Sequence, residues 1–560
     1  MRRLLITVLC LLCATPAFAA TTYYKQSTSG TGDGSSCANA AAVTSLSGGS
    51  FTSADTAVLC SGTFTTGIDL DADHAGMTIR VDSGAAVVID TSSTDDGITY
   101  ASGAVGITLR GDYGEGSLLF KDPGGRWIWL QSGANENIFD GITCLNTDGY
   151  TGGNYEGFSV DSNLNIIKNS SFGRDCAAGA GSDAIWVEGD SNLFIGNTFG
   201  KAPHYCLNFR GTSNHNVVYN NTFENTLHAS TGSAVGADHN VFTKNMIKNN
   251  GTLCDSTTCS ANSCGSATDQ ASDSYEHRAF QFNGGRYCRI RYNTIYNDGN
   301  HGSISMTVYE NYGEDTDYNR MYNNTVAELC APLILFDEVG STTKVTNNGF
   351  LNNIFGASSG EWCTNSYEQA NLYVQDGTNW ITNNIFYGAA NTIRYRSSTN
   401  ISVATLDSTY SECSGNIATD PSLDGSYQIG SGSSAVDTGA PHATTVGTGS
   451  SSTSLVVSDP YMFFTKGSPW NITASEISSD TIYVAAATPF TATITAINES
   501  TATLTLDSAH TWESGVDVYF LLDGEMWSGD EIDIGAYEYD SGTPSSSGRR
   551  RGVAGMMMGW

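Results

Sequence analysis

A short apolar–polar–apolar alternation returns along most of the chain. It leads into a run of anchors: Ser-Ser-Phe172, Asn-Thr-Phe199, Asn-Thr-Phe223, Asn-Met-Ile247, Asn-Thr-Ile295, Asn-Thr-Val326, Asn-Ile-Phe355 and Asn-Ile-Phe386. Successive anchors lie about 24 to 31 residues apart, except for one longer interval that holds Cys254, Cys259 and Cys264 and reads as a single coil with a long excursion. Ahead of many anchors stands a second short strand: Phe158-Ser-Val160, Ile185-Trp-Val187, Leu207-Asn-Phe209, Phe280-Gln-Phe282 and Leu372-Tyr-Val374. Each alternates in, out, in, which is the period of a strand and not of a helix. Repeats of this length holding two or three strands, with Gly and Asn at the corners, predict a parallel β-helix of about ten or more coils. The recurrent Asn fits a stacked corner. It tolerates left-handed backbone, and its amide can bond the Asn about 4.8 Å away in the next coil.

Past His442 the pattern changes. Ser454-Leu-Val-Val-Ser, Thr481-Ile-Tyr-Val, Thr491-Ala-Thr-Ile-Thr-Ala-Ile and Ala502-Thr-Leu-Thr-Leu read as strands between turn residues, which predicts a small β-barrel or sandwich. The expected organisation is a signal peptide over 1–19, the β-helix over 20–442, a small β-domain with a closing segment over 443–540, and a flexible tail over 541–560. The signal is read from Arg2 and Arg3, the apolar run from Leu4 to Ala14, and Ala17-Phe18-Ala19 as cleavage site. No later apolar run approaches the ~20 residues of a membrane span, so no transmembrane segment is expected and the product should be secreted or held at a cell surface by other means.

Composition narrows the partners. The chain carries 57 acidic against 25 basic residues, a formal charge of −32. Phosphate binding needs clustered positive charge, so no nucleic-acid partner is expected. Of 14 Cys, Cys10 and Cys13 leave with the signal, and the even remainder suits disulfides in an oxidising compartment. The spacing of Cys254, Cys259 and Cys264 fits a stapled loop better than a zinc site.

The Asn-Asn-Thr-Phe coils resemble right-handed parallel β-helix repeat proteins of the pectate-lyase-like superfamily. Two N-terminal stretches share the likeness, Tyr23-Tyr24 through Gly32-Asp33-Gly34-Ser35-Ser36-Cys37, and Asp55-Thr-Ala-Val-Leu-Cys60-Ser-Gly-Thr-Phe64. At the far end Asp420-Pro421, Ser434-Ala-Val-Asp437-Thr-Gly439 and Asp533-Ile-Gly-Ala-Tyr-Glu538 are similar to the closing segment of surface β-helix proteins with a C-terminal anchor-associated module. The resemblance implies an all-β fold, a right-handed solenoid with a small C-terminal module, and an extracellular polysaccharide as partner, with cell-surface attachment. A capped N-terminal end near Cys37 to Leu46, clamped by a disulfide such as Cys37 with Cys60, is expected. The chain departs from the family in its insertion between His442 and Leu522, in lacking an Arg-x-Pro-x-x-Arg stretch and a paired-Asp set, and in its few Lys.

Chemistry is expected on the outward ladder of the strand before each anchor, where Ser159, Asp161, Trp186, Glu188, Asn208, Arg210, Gln281, Asn283 and Tyr373 fall. The corners add Asp183, His204, His228, His277, Arg278 and His301. In a polysaccharide site Trp186 and Tyr373 would stack on sugar rings, and Asn208, Gln281 and His301 would bond hydroxyls. Glu188 with Asp183 would form an acid pair or bind Ca2+, the one cofactor anticipated. Arg210 and Arg278 would hold uronate carboxylates, and His204 or His277 would be the base of a β-elimination. Two carboxylates on neighbouring coils would instead suit hydrolysis. The chain is thus expected to bind, and as a lyase or glycosidase to cleave, polysaccharide; the alternative is a non-catalytic adhesive or structural solenoid. Strand alternation would also align Asp69, Asp71 and Asp73 on one face, needing a cation or full solvation. It would put Arg289 and Arg291 together, where salt bridges are expected.

Overall fold

The computed structural model describes residues 19–539 apart from 92–95, 122–124, 147–155, 175–182, 201–204, 225–228, 235, 250–277, 298–304, 310–314, 330–332, 337–344, 358–371, 375–377, 389–392, 397, 525–526 and 528–530. The signal-peptide and tail readings therefore lie outside the described residues. Three long sheets of 15, 12 and 13 strands run side by side, and successive coils add one strand to each. A representative coil holds Ile166–Lys168 in the first sheet, Ser171–Arg174 in the second and Asp183–Val187 in the third. These pair in parallel with Leu193–Ile195, Thr198–Phe199 and Tyr205–Phe209 of the next coil. The chain is a parallel β-helix.

Alternation places Ile167, Phe194 and Val218 inward from the first sheet, Phe172, Phe199 and Phe223 from the second, and Phe158, Ile185 and Leu207 from the third, all fully or almost fully buried. The anchor rings stack in register, Phe172 on Phe199 at 5.4 Å and Phe199 on Phe223 at 4.6 Å. The anchors thus build the second sheet and the strands before them the third.

The Asn corner divides its two tasks between consecutive residues. Asn220, Asn323, Asn352 and Asn383 take the left-handed backbone, with φ of 54, 51, 55 and 55°. The residue after each turns inward, buried, and stacks: Asn221 Nδ2 donates to Asn245 Oδ1 at 3.1 Å, and Asn245 Nδ2 to Asn293 Oδ1 at 3.0 Å. Lys244 and Tyr292 adopt the same left-handed backbone (φ 57 and 53°), so the inner Asn ladder, more than the outer residue's own preference, sets this corner. A second buried ladder, Asn165, Asn192, Asn216 and Asn240, precedes the first sheet and was not anticipated.

At the N-terminal end Thr21–Lys25 pairs with both Ala41–Ala42 and Thr56–Leu59. The short helix Thr44–Ser47 buries Leu46, and Cys37 is disulfide-bonded to Cys60. The expected cap and clamp are both present, closing an otherwise open sheet edge. The expected alignment of Asp69, Asp71 and Asp73 is corrected. The strand Ile68–Leu70 ends before Asp71, whose carboxylate caps the turn Ala72–His74 by accepting the Asp73 N–H at 3.0 Å.

The C-terminal region forms a six-stranded antiparallel sheet. The four anticipated strands are Gly449–Val456, Thr481–Val484, Phe490–Asn498 and Thr503–Trp512; Ala443–Thr444 and Asp517–Leu521 join them. The layer that completes its sandwich is the solenoid itself. Ile482, Ile494, Leu504 and Val518 share one apolar cluster with Leu193, Val217 and Val241, which face outward from the first sheet. Further along that face Arg289, Arg291 and Arg320 are buried and bonded to Glu499, Asp480 and Asp459. Arg289 and Arg291 thus share one face and are ion-paired, as alternation requires, while Arg286 pairs with Asp238.

The closing segment covers part of the second sheet. Ile534 packs with Ile354, Ile385, Ile429 and Ala435, and the Ala536 N–H donates to Thr325 Oγ1 at 2.9 Å. The antiparallel sheet thus covers the first sheet and the closing segment the second.

Candidate functional site

The outward residues of the third sheet line up from coil to coil. Parallel pairing puts Trp129, Ser159, Trp186, Asn208, Gly232 and Gln281 in one column. A second column, one residue beyond the paired Leu130, Val160, Val187 and Phe209, holds Gln131, Asp161, Glu188 and Arg210. Trp129, Gln131, Ser132, Asp161, Glu188, Gly211 and Thr212 line an open cleft of about 700 Å³.

Two of these are carboxylates. Asp161 and Glu188 occupy the same place in consecutive coils, so their backbones are one strand spacing apart, about 4.8 Å. The Trp129 indole donates from Nε1 to Asp161 Oδ2 at 2.9 Å, and Ser159 Oγ to Asp161 Oδ1 at 2.8 Å. Trp186 Nε1 donates to Glu188 Oε1 at 3.1 Å, and Glu188 is exposed. The Arg210 guanidinium lies over the Trp186 ring, 4.3 Å from its centroid, as Arg126 does over Trp129 at 4.5 Å. Each indole therefore offers sugar only the surface its arginine leaves free. At the corner beyond Glu188, burial raises Asp190 from its ordinary value, opposed by the Asn214 N–H that it accepts.

Of the residues anticipated for the site, Glu188 lines the cleft, and Trp186 and Arg210 stand beside it, Trp186 bonded to Glu188 and Arg210 over the Trp186 ring. Asn208 and Gln281 follow in the Trp186 column but are buried, and the Asn208 amide nitrogen donates to Asp183 at 2.8 Å. The expected pairing of Asp183 with Glu188 is corrected. Asp183 is fully buried, accepts the Tyr205 N–H at 3.1 Å, and opens the strand that Glu188 follows, their backbones about 16 Å apart at the ordinary rise per residue. Register makes Asp161 the partner of Glu188. Tyr373 is also corrected as a cleft residue: it lies on the same column as Trp186 but six coils on, about 29 Å along the solenoid. His204, His277 and His301 lie outside the described residues. Arg278 opens the strand Arg278–Asn283, and its side chain lies outside them too.

Trp129, Gln131 and Ser132 escaped the sequence reading. Ile128-Trp-Leu130 has the same in-out-in order as Ile185-Trp-Val187, but it precedes the first anchor, where no Asn marks the coil.

No protein-family model and no curated protein matches the chain. Solved structures that align with it include the pectate lyase Pel9A (14% identity over 76% of this chain and 92% of that one, TM-score 0.38). An alginate lyase from Paenibacillus sp. str. FPU-7 aligns at 16% identity over 54% of this chain and 95% of its own (TM-score 0.36). The catalytic domain of a GH87 alpha-1,3-glucanase, in complex with tetrasaccharides, aligns at 12% identity over 72% and 70% (TM-score 0.40). At these identities and scores the likeness carries no information on what this chain acts on.

Proposed function

We propose that this is an exported protein that binds extracellular polysaccharide along the third sheet and cleaves it by hydrolysis at Asp161 and Glu188. One observation carries the reading: two carboxylates in register on consecutive coils, each bonded to an indole N–H, in an open cleft. Glycoside hydrolysis needs two carboxyl groups flanking the scissile bond. The flat, open-ended face of a solenoid suits a long chain, and the partly exposed Trp129 and Trp186 supply apolar surface for sugar rings.

A second reading, β-elimination on a uronate polymer, is favoured by Arg210. Its guanidinium has no carboxylate partner among the described residues of a strongly acidic chain, so it is available to a substrate carboxylate. In that reading Asp161 and Glu188 would be two of the six to eight oxygen ligands of a Ca2+ ion, which would supply positive charge beside the substrate.

The test is incubation of the mature protein with neutral and uronate-containing polysaccharides, with Ca2+ and with chelator. New reducing ends without ultraviolet-absorbing unsaturated products are expected, and Glu188→Gln should lower the rate by about 100-fold or more. Unsaturated products would move the assignment to the lyase. Retention on a glycan without cleavage would leave a binding or adhesive solenoid, held at a cell surface by means other than a membrane helix.

A further inference from the structure

We infer that the two carboxylates have unequal roles: Asp161 is the nucleophile and Glu188 the acid and base of a hydrolysis that retains anomeric configuration. The inference rests on the hydrolytic reading above.

Two observations carry it. The first is spacing. Retaining glycosidases hold their carboxyl groups about 5–5.5 Å apart, whereas inverting enzymes need about 6.5–9.5 Å to admit a water between the second carboxylate and the sugar. Asp161 and Glu188 stand side by side on consecutive coils with backbones about 4.8 Å apart, from which their carboxyl groups can close to the shorter range without spanning an intervening coil. The second is asymmetry of support. Both oxygens of Asp161 are tied, Oδ2 to the Trp129 indole and Oδ1 to the Ser159 hydroxyl. Among the described residues Glu188 is held only through Oε1, by Trp186, and its side chain is exposed. A carboxylate fixed at both ends is pre-oriented for in-line attack. A longer, half-tethered one can reach first the glycosidic oxygen and then a water.

In the first step an Asp161 oxygen forms a bond to the anomeric carbon as the bond to the glycosidic oxygen breaks, and that oxygen takes the Glu188 proton as it leaves. In the second, Glu188 takes a proton from water, whose oxygen attacks the same carbon and releases the Asp161 carboxylate. Two displacements restore the original configuration, and one water is consumed for each bond cut. Trp129 and Ser159 are positioning residues, acting through Asp161.

The experiment follows the anomer released from a cleaved polysaccharide by proton NMR at early times, in wild type and variants. Wild type should release the anomer of the bond it cuts. Added azide should rescue Asp161→Ala as a glycosyl azide of inverted configuration, and Glu188→Ala, on a substrate with a good leaving group, as one of retained configuration. Trp129→Phe should lower kcat by about 10-fold or more with little change in KM. Hydrolysis with inversion, or rescue with the two configurations exchanged, overturns this inference and leaves the proposed hydrolysis standing. Absence of any cleavage overturns both.

Discussion

Arg291 on the solenoid and Asp480 on the C-terminal sheet form a two-bond ion pair, Nη1 to Oδ2 at 2.6 Å and Nη2 to Oδ1 at 2.7 Å. Both side chains are almost wholly buried, the guanidinium lies 4.3 Å from the centroid of the Phe520 ring, and Nη1 also donates to the Tyr322 hydroxyl at 3.0 Å. The C-terminal sheet is therefore bound to the solenoid through desolvated charge as well as apolar contact.

Asp480→Ala leaves Arg291 charged and buried, and should destabilise the chain by about 3–5 kcal/mol. The double replacement Arg291→Met with Asp480→Leu should cost much less, because no charge is then stranded. Urea midpoints of the three proteins check this; equal losses in single and double variants would count against it.

Acid should loosen the same interface. Burial alone would raise the Glu499 carboxyl, yet Arg289 and His239 beside it bring it down to about 2. A depressed folded value contributes stability above the unfolded value, near the ordinary carboxylate range, and loses it as pH falls toward 2. Glu499→Gln should therefore be less stable than wild type at neutral pH and converge with it near pH 2, read from urea midpoints across pH.

The closing segment should have the opposite dependence. Burial pushes Asp533 up to about 6, with Asp437 adding to the rise, and pushes Glu538 well above the carboxylate range, where Asp533 and Asp437 raise it further. A raised folded value contributes stability below the unfolded value and loses it as pH rises through about 6. Asp533→Asn should flatten the loss of stability between about pH 4 and 6. Hydrogen exchange at the Ala536 amide, bonded to Thr325, reports it locally.

Asn245→Ala should cost more than an ordinary surface change. Asn245 Oδ1 accepts both the N–H and the Nδ2 of Asn221, and its own Nδ2 donates to Val218 and Asn293. Each buried group left unpaired costs about 1–3 kcal/mol, so the loss should exceed about 3 kcal/mol. Asn220→Ala, at the left-handed outer position, should cost about 1–2 kcal/mol. Comparable denaturation curves for the two would sink the claim that the inner ladder sets the corner.

Deleting residues 443–522 should yield aggregated protein even though the cleft lies on another sheet. Leu193, Val217 and Val241 would be exposed, and Arg289, Arg291 and Arg320 would lose their partners. Light scattering of the purified variant tests this; a monomeric, active variant would make the C-terminal sheet a mere accessory.

The sequence by itself determined the solenoid, because a stacked repeat depends on local periodicity. The Phe172, Phe199 and Phe223 anchors, the inner Asn ladder and the shared face of Arg289 and Arg291 follow from repeat spacing and strand alternation, whereas the Cys37–Cys60 clamp is expected from the resemblance of the N-terminal stretches. Trp186, Glu188 and Arg210 could be placed on an outward ladder for the same reason. Tertiary structure alone decided which ladder residues are neighbours. Coil lengths vary, so only the parallel register shows that Glu188 faces Asp161 and that Asp183 and Tyr373 are remote from it. It also decided that the C-terminal sheet takes the solenoid as its second layer. The partners of Arg289 and Arg291 lie 210 and 189 residues away in the chain, beyond the reach of any local pattern.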